Sequence, residues 1–186
     1  MKRFLAIIAL ALSFTLILSA CGDSSSESPS DSGKKSEEAE EEQKEESDQQ
    51  FHDNVFENDD VKIEITKYEV IQPGDTTYSE YNIEEKPVIA FWYKVTNKSG
   101  EETDPSTAWI LNFKAIQDND PNSVNELDVS GLPDDKYLDS QTETIKKGGT
   151  VECCCGYVLD DEKTPVTLVA SDILGGELGS QEYKIK

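Results

Sequence analysis

The sequence predicts an all-β protein whose folded part, residues 51–186, is an antiparallel β-sandwich of six to seven strands. Short stretches alternate apolar and polar residues with a period of two, and turn residues separate them at regular intervals. No stretch has the spacing of a convincing amphipathic helix. The folded part, about 136 residues long, is enough for one hydrophobic core and too short for two.

The first predicted strand covers residues 61–65, where apolar and charged side chains alternate. The alternation slips near Thr66 and Lys67, and Tyr68 and Val70 continue it with the opposite parity. One extra residue in a strand has this effect, so the sequence predicts a β-bulge.

Two further strands are predicted in the middle of the chain. Residues 88–96 form one, which ends at the turn residues 97–100. Residues 107–117 form the other, because alternate positions there are apolar. The faces predicted to be buried consist of Ile89, Phe91, Tyr93 and Val95 on the first strand and Trp109, Leu111, Phe113 and Ala115 on the second.

The C-terminal part is predicted to begin with a long polar connection over residues 118–133, rich in Asp, Asn, Pro and Gly. A turn at 147–149 precedes a strand and then a short β-branched run at 165–170. One face of that strand consists of Val151, Cys153, Cys155, Tyr157 and Leu159. Gly175, Gly176 and Gly179 are expected to lead into a last strand at 182–186.

The N-terminus predicts export and lipid attachment. Two basic residues precede the apolar run 4–20, and Leu18-Ser19-Ala20-Cys21 has the pattern of a lipobox. Residues 1–20 are therefore interpreted as a lipoprotein signal peptide, cut in front of a diacylglyceryl-modified Cys21. The alternative is that residues 4–20 remain as a transmembrane helix, for which their length is at the lower limit.

Residues 21–50 are predicted to form a disordered Ser/Glu-rich linker after the lipidated cysteine. After Cys21 this stretch contains no Leu, Ile, Val or aromatic residue, so it has no apolar surface that could offset the chain entropy lost on folding. We therefore expect the folded domain to be tethered at the extracytoplasmic face of a bacterial cell membrane.

The formal net charge of −22 excludes nucleic acid as a partner. Nucleic-acid binding needs clustered Lys and Arg, and the single Arg lies in the predicted signal peptide. The acidity has two interpretations, which the sequence leaves open. It keeps a tethered surface protein soluble, or it attracts cations and basic peptides.

A family resemblance is carried by the stretches VKIEITKYEV, FWYKVTNKSGEE, FKAIQD, IKKGGTVE, GYVLDD and TPVTL, in this order. The chain resembles Gram-positive bacterial surface lipoproteins with a C-terminal Ig-like domain of unknown function. The resemblance implies a telokin-like immunoglobulin sandwich and no catalytic residue. The matching positions are Tyr93, Asn97, Gln117, Gly148, Tyr157 and Pro165.

The run Cys153-Cys154-Cys155 departs from that family pattern, since small residues are expected there. Strand alternation places Cys153 and Cys155 in the core as apolar fillers and Cys154 on the opposite face. A Cu(I) or Zn site is the alternative, although thiolates on adjacent strand positions diverge. A bridge between neighbouring cysteines is strained, so oxidation is expected to couple Cys154 to another molecule.

A second metal candidate is the segment Asp118-Asn119-Asp120-Pro121-Asn122, because Asp118, Asp120 and Asn122 occupy positions one, three and five of a calcium loop. The pattern then stops, because Ser123 replaces the turn glycine and Val129 replaces the bidentate Glu. The segment is either a weak calcium site or a solvated turn.

No catalytic signature is present in the sequence. His52 is expected at the surface, and Trp92 either contacts carbohydrate or peptide or is covered by a loop. The expected function is therefore a non-enzymatic, cofactor-free binding module for a protein, peptide or cell-wall component. The alternative is a metal-binding or thiol-redox accessory lipoprotein that uses Cys153, Cys154 and Cys155 or the acidic loops.

Overall fold

A computed structural model describes residues 50–80 and 84–185. The predicted signal peptide, Cys21 and nearly all of the linker lie outside these residues. Eight strands form two antiparallel sheets, which confirms the predicted all-β sandwich. The strands are β1 Phe51–His52, β2 Val55–Glu57, β3 Val61–Ile71, β4 Val88–Asn97, β5 Phe113–Ile116, β6 Thr150–Val158, β7 Val166–Ser171 and β8 Glu177–Tyr183.

The larger sheet has the order β1-β2-β3-β4-β6, and the smaller has the order β5-β7-β8. Strands β1 and β2 were not predicted, and they bring the number of strands to eight instead of the six to seven expected. They form a short hairpin whose turn residues Asp53 and Asn54 have positive φ values of 50° and 65°. Asp and Asn tolerate this conformation better than other non-glycine residues.

Strands β3 and β4 confirm the first two strand predictions. Their pairing shifts register between Ile65 and Lys67, so the predicted bulge lies at Thr66. The Thr66 hydroxyl donates a hydrogen bond of 3.0 Å to the carbonyl of Trp92 and holds the bulge against β4. The extra residue explains why the apolar pattern changes parity.

The strand predicted over 107–117 is wrong for most of its length, because Pro105–Asn112 is a helix, α1. Asp104 caps it by accepting a 2.8 Å hydrogen bond from the amide of Thr107, and Pro105 occupies the first turn. Only residues 113–116 are extended, as β5. Leu111 is therefore 60% exposed and not part of the core.

The C-terminal strands follow the predicted order, but β8 begins at Glu177 and not near residue 182. Gly179 lies inside β8 because β1 passes very close: a Cβ atom there would lie 2.6 Å from the carbonyl oxygen of Phe51. The glycine thus marks a close approach of two strands, which sequence patterns do not distinguish from a turn. The polar connection 118–133 is confirmed and carries two isolated bridges, Ile116–Glu126 and Val129–Tyr157.

Aromatic side chains fill the core between the sheets. Trp109 of α1 stacks on Tyr93 with ring centroids 4.3 Å apart and contacts Phe113 at 4.7 Å. Its indole N–H donates a 2.9 Å hydrogen bond to the hydroxyl of Tyr157, and the Tyr93 hydroxyl donates to the carbonyl of Pro105. These contacts fix α1 on the sandwich.

The two sides of the sandwich differ. On one side the sheets join, because the amide of Gln50 donates a 2.8 Å hydrogen bond to the carbonyl of Leu178 beside β1. On the other side β6 is an edge strand, flanked by α1, the end of the polar connection and two short 3-10 helices, Asp135–Tyr137 and Ser140–Thr142. No helix within 50–80 and 84–185 is long and apolar enough to cross a membrane.

Candidate functional site

The three neighbouring cysteines are all buried free thiols. Cys153 and Cys155 lie in the core, as predicted. Cys154 lies on the opposite face, yet it is only 2% exposed because the segment around Asp134 covers it, with Sγ 4.0 Å from the Asp134 carbonyl oxygen. Burial raises the pKa of all three thiols, that of Cys155 to about 12. At neutral pH they are protonated and weakly nucleophilic.

Neither of the two metal candidates forms a ligand set. In the described part of the chain, no three His, Cys, Asp or Glu side chains come together as a metal site would need. The Asp120 carboxylate instead accepts hydrogen bonds from the Asn122 amide at 2.8 Å and the Ser123 hydroxyl at 2.9 Å. These bonds lower the pKa of Asp120 and build a solvated turn. Asp118 is exposed beside it.

The two remaining sequence candidates are also located. His52 is exposed and contacts the neighbouring Asp53 at 3.3 Å. Trp92 is covered by a loop: its indole N–H donates a 2.9 Å hydrogen bond to Asp134, and its ring packs on Tyr78. Trp92 is buried and does not offer a stacking surface.

The open side of the sandwich contains a cleft of about 260 Å³, which we call the edge cleft. Strand β6 forms its floor, and its walls are α1, the segment 129–133 and the second 3-10 helix, which contributes Gln141 and Thr142. Trp109 and Tyr93 lie at its base, while Ile110 and Val129 stand at its rim with 60% and 52% of their surface exposed. The edge cleft is therefore mainly apolar, and no carboxylate of the described residues lines it.

Two backbone amides of β6 lack a hydrogen-bond partner among the described residues where the strand forms this floor. In an antiparallel strand, the N–H and C=O of one residue point to the same side, and successive residues alternate. The carbonyl of Gly156 accepts a bond from Ser130, and the amide of Val158 donates to Asp128, so even-numbered residues point away from β4. The amides of Cys154 and Gly156 accordingly face the edge cleft, and no partner in the described residues meets them.

The wall opposite α1 depends on Gly156. A Cβ atom at this position would lie 2.4 Å from Ser130 Oγ and 2.8 Å from Pro133 Cγ. The segment 130–133 therefore crosses directly over the glycine onto the outer face of the sheet, toward Asp134. Because it leaves the edge of β6 at this point, the amide of Cys154 has no partner among the described residues. This open stretch is short, since the carbonyl of Glu152 accepts a 3.0 Å hydrogen bond from the Ser140 hydroxyl.

Sequence reasoning missed the edge cleft because it missed α1, which forms one wall. The signal was present in Asp104-Pro105, a capping residue followed by a proline suited to a first helical turn. The resemblance positions Tyr93 and Tyr157 do lie under the helix and hold it by hydrogen bonds. The cysteine run was located correctly, but its thiols face the core and a covering loop.

The fold and this site define a β-sandwich domain with an apolar cleft at an open sheet edge. The chain belongs to the family described as a domain of unknown function, DUF5067, whose family model matches residues 23–172. The predicted membership of a family without known function is thus confirmed, while the telokin-like Ig assignment stays a prediction.

One solved structure has the same fold. It is described as "Structure of a putative lipoprotein from Staphylococcus aureus subsp. aureus NCTC 8325". The two chains superpose with a TM-score of 0.62 at 24% sequence identity, over 74% of this chain and 92% of that one. Among curated proteins, none matches this chain significantly.

Proposed function

We propose that the protein is a non-enzymatic extracytoplasmic lipoprotein whose edge cleft binds an extended peptide segment. The observation that carries the proposal is the open edge of β6 at the floor of an apolar cleft. Exposed strand edges are templates for adding a strand, and proteins usually cover or charge them. Here the edge lies at the floor of the cleft, where Cys154 is 2% exposed, and a peptide would reach it by entering between the walls.

Binding would proceed by strand addition. The amide and carbonyl of Cys154 would exchange hydrogen bonds with one residue of the peptide, in place of the weak 3.5 Å contact of Cys153 Sγ with that carbonyl. The Gly156 amide would donate to the carbonyl two residues further along the peptide. Main-chain bonds of this kind supply affinity with little dependence on sequence. The apolar rim residues Ile110 and Val129 would add selectivity by favouring apolar side chains on one face of the peptide.

The non-enzymatic assignment is supported by the chemistry of the edge cleft. The residues with titratable side chains in its lining are Cys154, Cys155 and Tyr93. Burial raises the pKa of each, so all three stay neutral near pH 7. A general base or an activated nucleophile needs the opposite shift or a charged neighbour.

Membrane attachment is supported by the lipobox and by the family and structural matches. Lipid on Cys21 would hold the domain at the outer surface of the cell membrane, since two acyl chains give stable anchoring where one does not. The linker 21–50 would then let the edge cleft reach partners near the membrane. A Cys21→Ser variant should remain unprocessed and fail to incorporate labelled palmitate, whereas normal incorporation would contradict this assignment.

Strand addition is tested by removing hydrogen-bond donors from the ligand. A pool of blocked tripeptides built from Val, Thr, Leu and Lys is titrated into the ¹⁵N-labelled chain from Gly22 onward. We expect NMR shifts at the amides of Cys154 and Gly156, and a loss of binding of at least about tenfold when the peptide nitrogens are methylated. Equal binding of the methylated pool, or shifts that avoid β6, would contradict strand addition.

A further inference from the structure

A second surface lies on the other flank of α1. It is a groove of about 230 Å³ between the helix, the segment 99–103, the start of β3 and the tip of the β7–β8 hairpin. We call it the acidic groove. Its apolar lining includes Ala108 and Leu111 of the helix and Ile173 of the hairpin tip.

The apolar side chains around the acidic groove are unusually exposed. Leu111 is 60% exposed, and Ile173 and its neighbour Leu174 are each 91% exposed. Large aliphatic groups that cluster in this way at a groove are typical of surfaces that a partner covers. Their exposure therefore favours a partner that places a bulky apolar side chain in the acidic groove.

The hairpin tip is held in place by its own hydrogen bonds. The Asp172 carboxylate accepts bonds of 2.8 Å from the amides of Leu174 and Gly176, and Gly175 takes up the left-handed φ of 85° that the turn requires. The backbone conformation around Ile173 is thus fixed by the turn.

Three carboxylates surround the apolar lining, those of Asp60, Glu101 and Glu102. None of them forms an ion pair or a side-chain hydrogen bond with the described residues. The nearby Lys98 is already engaged, because its ammonium donates to Glu57 Oε1 at 2.7 Å and to the Asn58 carbonyl at 2.6 Å. The Lys147 side chain packs beside Gly100 without forming an ion pair, so the three rim carboxylates have no ion-pair partner among the described residues.

The position of this rim is fixed from below by the buried amide of Asn97. Its side-chain nitrogen donates bonds of 2.8 Å to the carbonyls of Glu101 and Ile145, and its oxygen accepts one from the amide of Gly100. Asn97 is one of the positions that carried the sequence resemblance. A preorganised rim loses less conformational entropy when a ligand binds.

From this geometry we propose that the acidic groove docks a protein segment in which a bulky apolar side chain lies beside lysine or arginine. The apolar side chain fills the space between Leu111 and Ile173, and the cations meet Asp60, Glu101 and Glu102. This surface is separate from the edge cleft, and it recognises side-chain charge where the edge cleft recognises backbone. An anionic membrane is disfavoured as the occupant because the same carboxylates repel it.

The test uses three blocked peptides, Lys-Phe-Leu-Lys, Lys-Gly-Gly-Lys and Glu-Phe-Leu-Glu, titrated into the ¹⁵N-labelled chain from Gly22 onward. We expect the first to shift the amides of Ala108, Leu111 and Ile173, and to bind at least about tenfold more tightly than the other two. Equal binding of the glycine peptide would reduce the interaction to charge alone and overturn the proposal. So would the absence of shifts in the groove at millimolar peptide.

Charge-reversal variants locate the site. Glu101→Lys combined with Glu102→Lys should weaken the first peptide at least about tenfold. The matched control, Glu126→Lys with Glu182→Lys, changes the net charge equally on exposed side chains that do not line the groove. Equal weakening in both variants would overturn the proposal, as would binding to phosphatidylglycerol vesicles that is lost in Ile173→Gln, because the hairpin tip would then be a membrane contact.

Discussion

Helix α1 separates two surfaces of different chemistry, although its two exposed apolar side chains are neighbours. Ile110 and Leu111 are both 60% exposed, yet Ile110 lines the edge cleft and Leu111 the acidic groove. The edge cleft offers backbone groups between apolar walls, whereas the acidic groove offers apolar side chains ringed by carboxylates. One short helix thus divides two modes of recognition.

This difference separates the expected behaviour of the two surfaces. Binding to the acidic groove should weaken with salt, because exposed charges are screened over about 10 Å at 0.1 M ionic strength. Binding to the edge cleft should be nearly independent of salt, since neutral hydrogen bonds and apolar contacts dominate it. Substitutions that alter both surfaces, one surface or a single side chain should distinguish the two surfaces further.

The largest effect is expected from Trp109→Ala, which removes the side chain that holds α1 on the core. Loss of a fully buried tryptophan should lower the free energy of unfolding by roughly 3–5 kcal/mol. Because both surfaces share the helix, probes of both should fail to bind. Urea unfolding followed by fluorescence and the two peptide titrations measure this; a change below about 1 kcal/mol would show that α1 is held by other contacts.

Gly156→Ala should disturb the edge cleft alone. The added methyl group would clash with Ser130, Pro133 and Val88, so the segment 130–133 must move, at a cost of about 1–3 kcal/mol in unfolding free energy. Gly131→Ala is the matched control, because a Cβ atom there meets nothing within 4 Å. Similar urea midpoints for the two variants would contradict the tight crossing over Gly156, and the acidic groove should keep its peptide in both.

The buried thiols beneath the edge cleft predict a stability that declines in alkali. The pKa of Cys155 is raised from 9.0 to about 12 in the folded protein, so above pH 9 the unfolded chain loses its proton first. Stability is therefore full below pH 9 and falls toward pH 12, by up to about 1.4 kcal/mol per pH unit for this thiol.

This decline is checked by urea midpoints between pH 7 and 10.5 for the native chain and for Cys155→Ala. The variant should show a shallower loss of stability over that range, while identical slopes would contradict the assignment. Iodoacetamide at pH 8 should modify the three thiols only after unfolding. Rapid labelling of the folded chain would show that they are accessible.

The smallest change in stability and the sharpest contrast in binding are expected from the neighbours on α1. Ile110→Gln and Leu111→Gln should each alter the unfolding free energy by less than about 0.5 kcal/mol, because both side chains are exposed. Ile110→Gln should weaken the tripeptide pool several-fold and spare Lys-Phe-Leu-Lys, and Leu111→Gln should do the reverse. Equal effects on both ligands would show that the two ligands bind to one surface.

The strands that build this scaffold could be predicted because their side-chain pattern is local. Strands β4 and β6 alternate in sequence as they do in the sheet, and the bulge at Thr66 follows from the change of parity between Ile65 and Tyr68. Helix α1 could not be separated from a strand by apolar spacing alone, because Trp109, Leu111 and Phe113 also fit a period of two. The cap at Asp104 was the distinguishing signal.

The surfaces themselves depend on contacts between distant parts of the chain. Asp134 covers Cys154 and Trp92, and Ser130 meets Gly156, across separations that no local pattern encodes. The calcium-like segment shows the reverse case, in which a familiar spacing at Asp118 and Asp120 forms only a turn. The sequence pattern placed the cysteines on the correct strand. That this strand lies at the edge of its sheet follows only from the three-dimensional structure.

Amide hydrogen exchange along β6 tests the open edge most directly. Measured by NMR on the chain from Gly22 onward, the amides of Cys153 and Cys155, which face β4, should be strongly protected. Those of Cys154 and Gly156, which face the edge cleft, should exchange at least about tenfold faster and slow down when the tripeptide pool is added. Uniform protection across the four residues would mean that another segment already covers this edge, and the account of the edge cleft would be wrong.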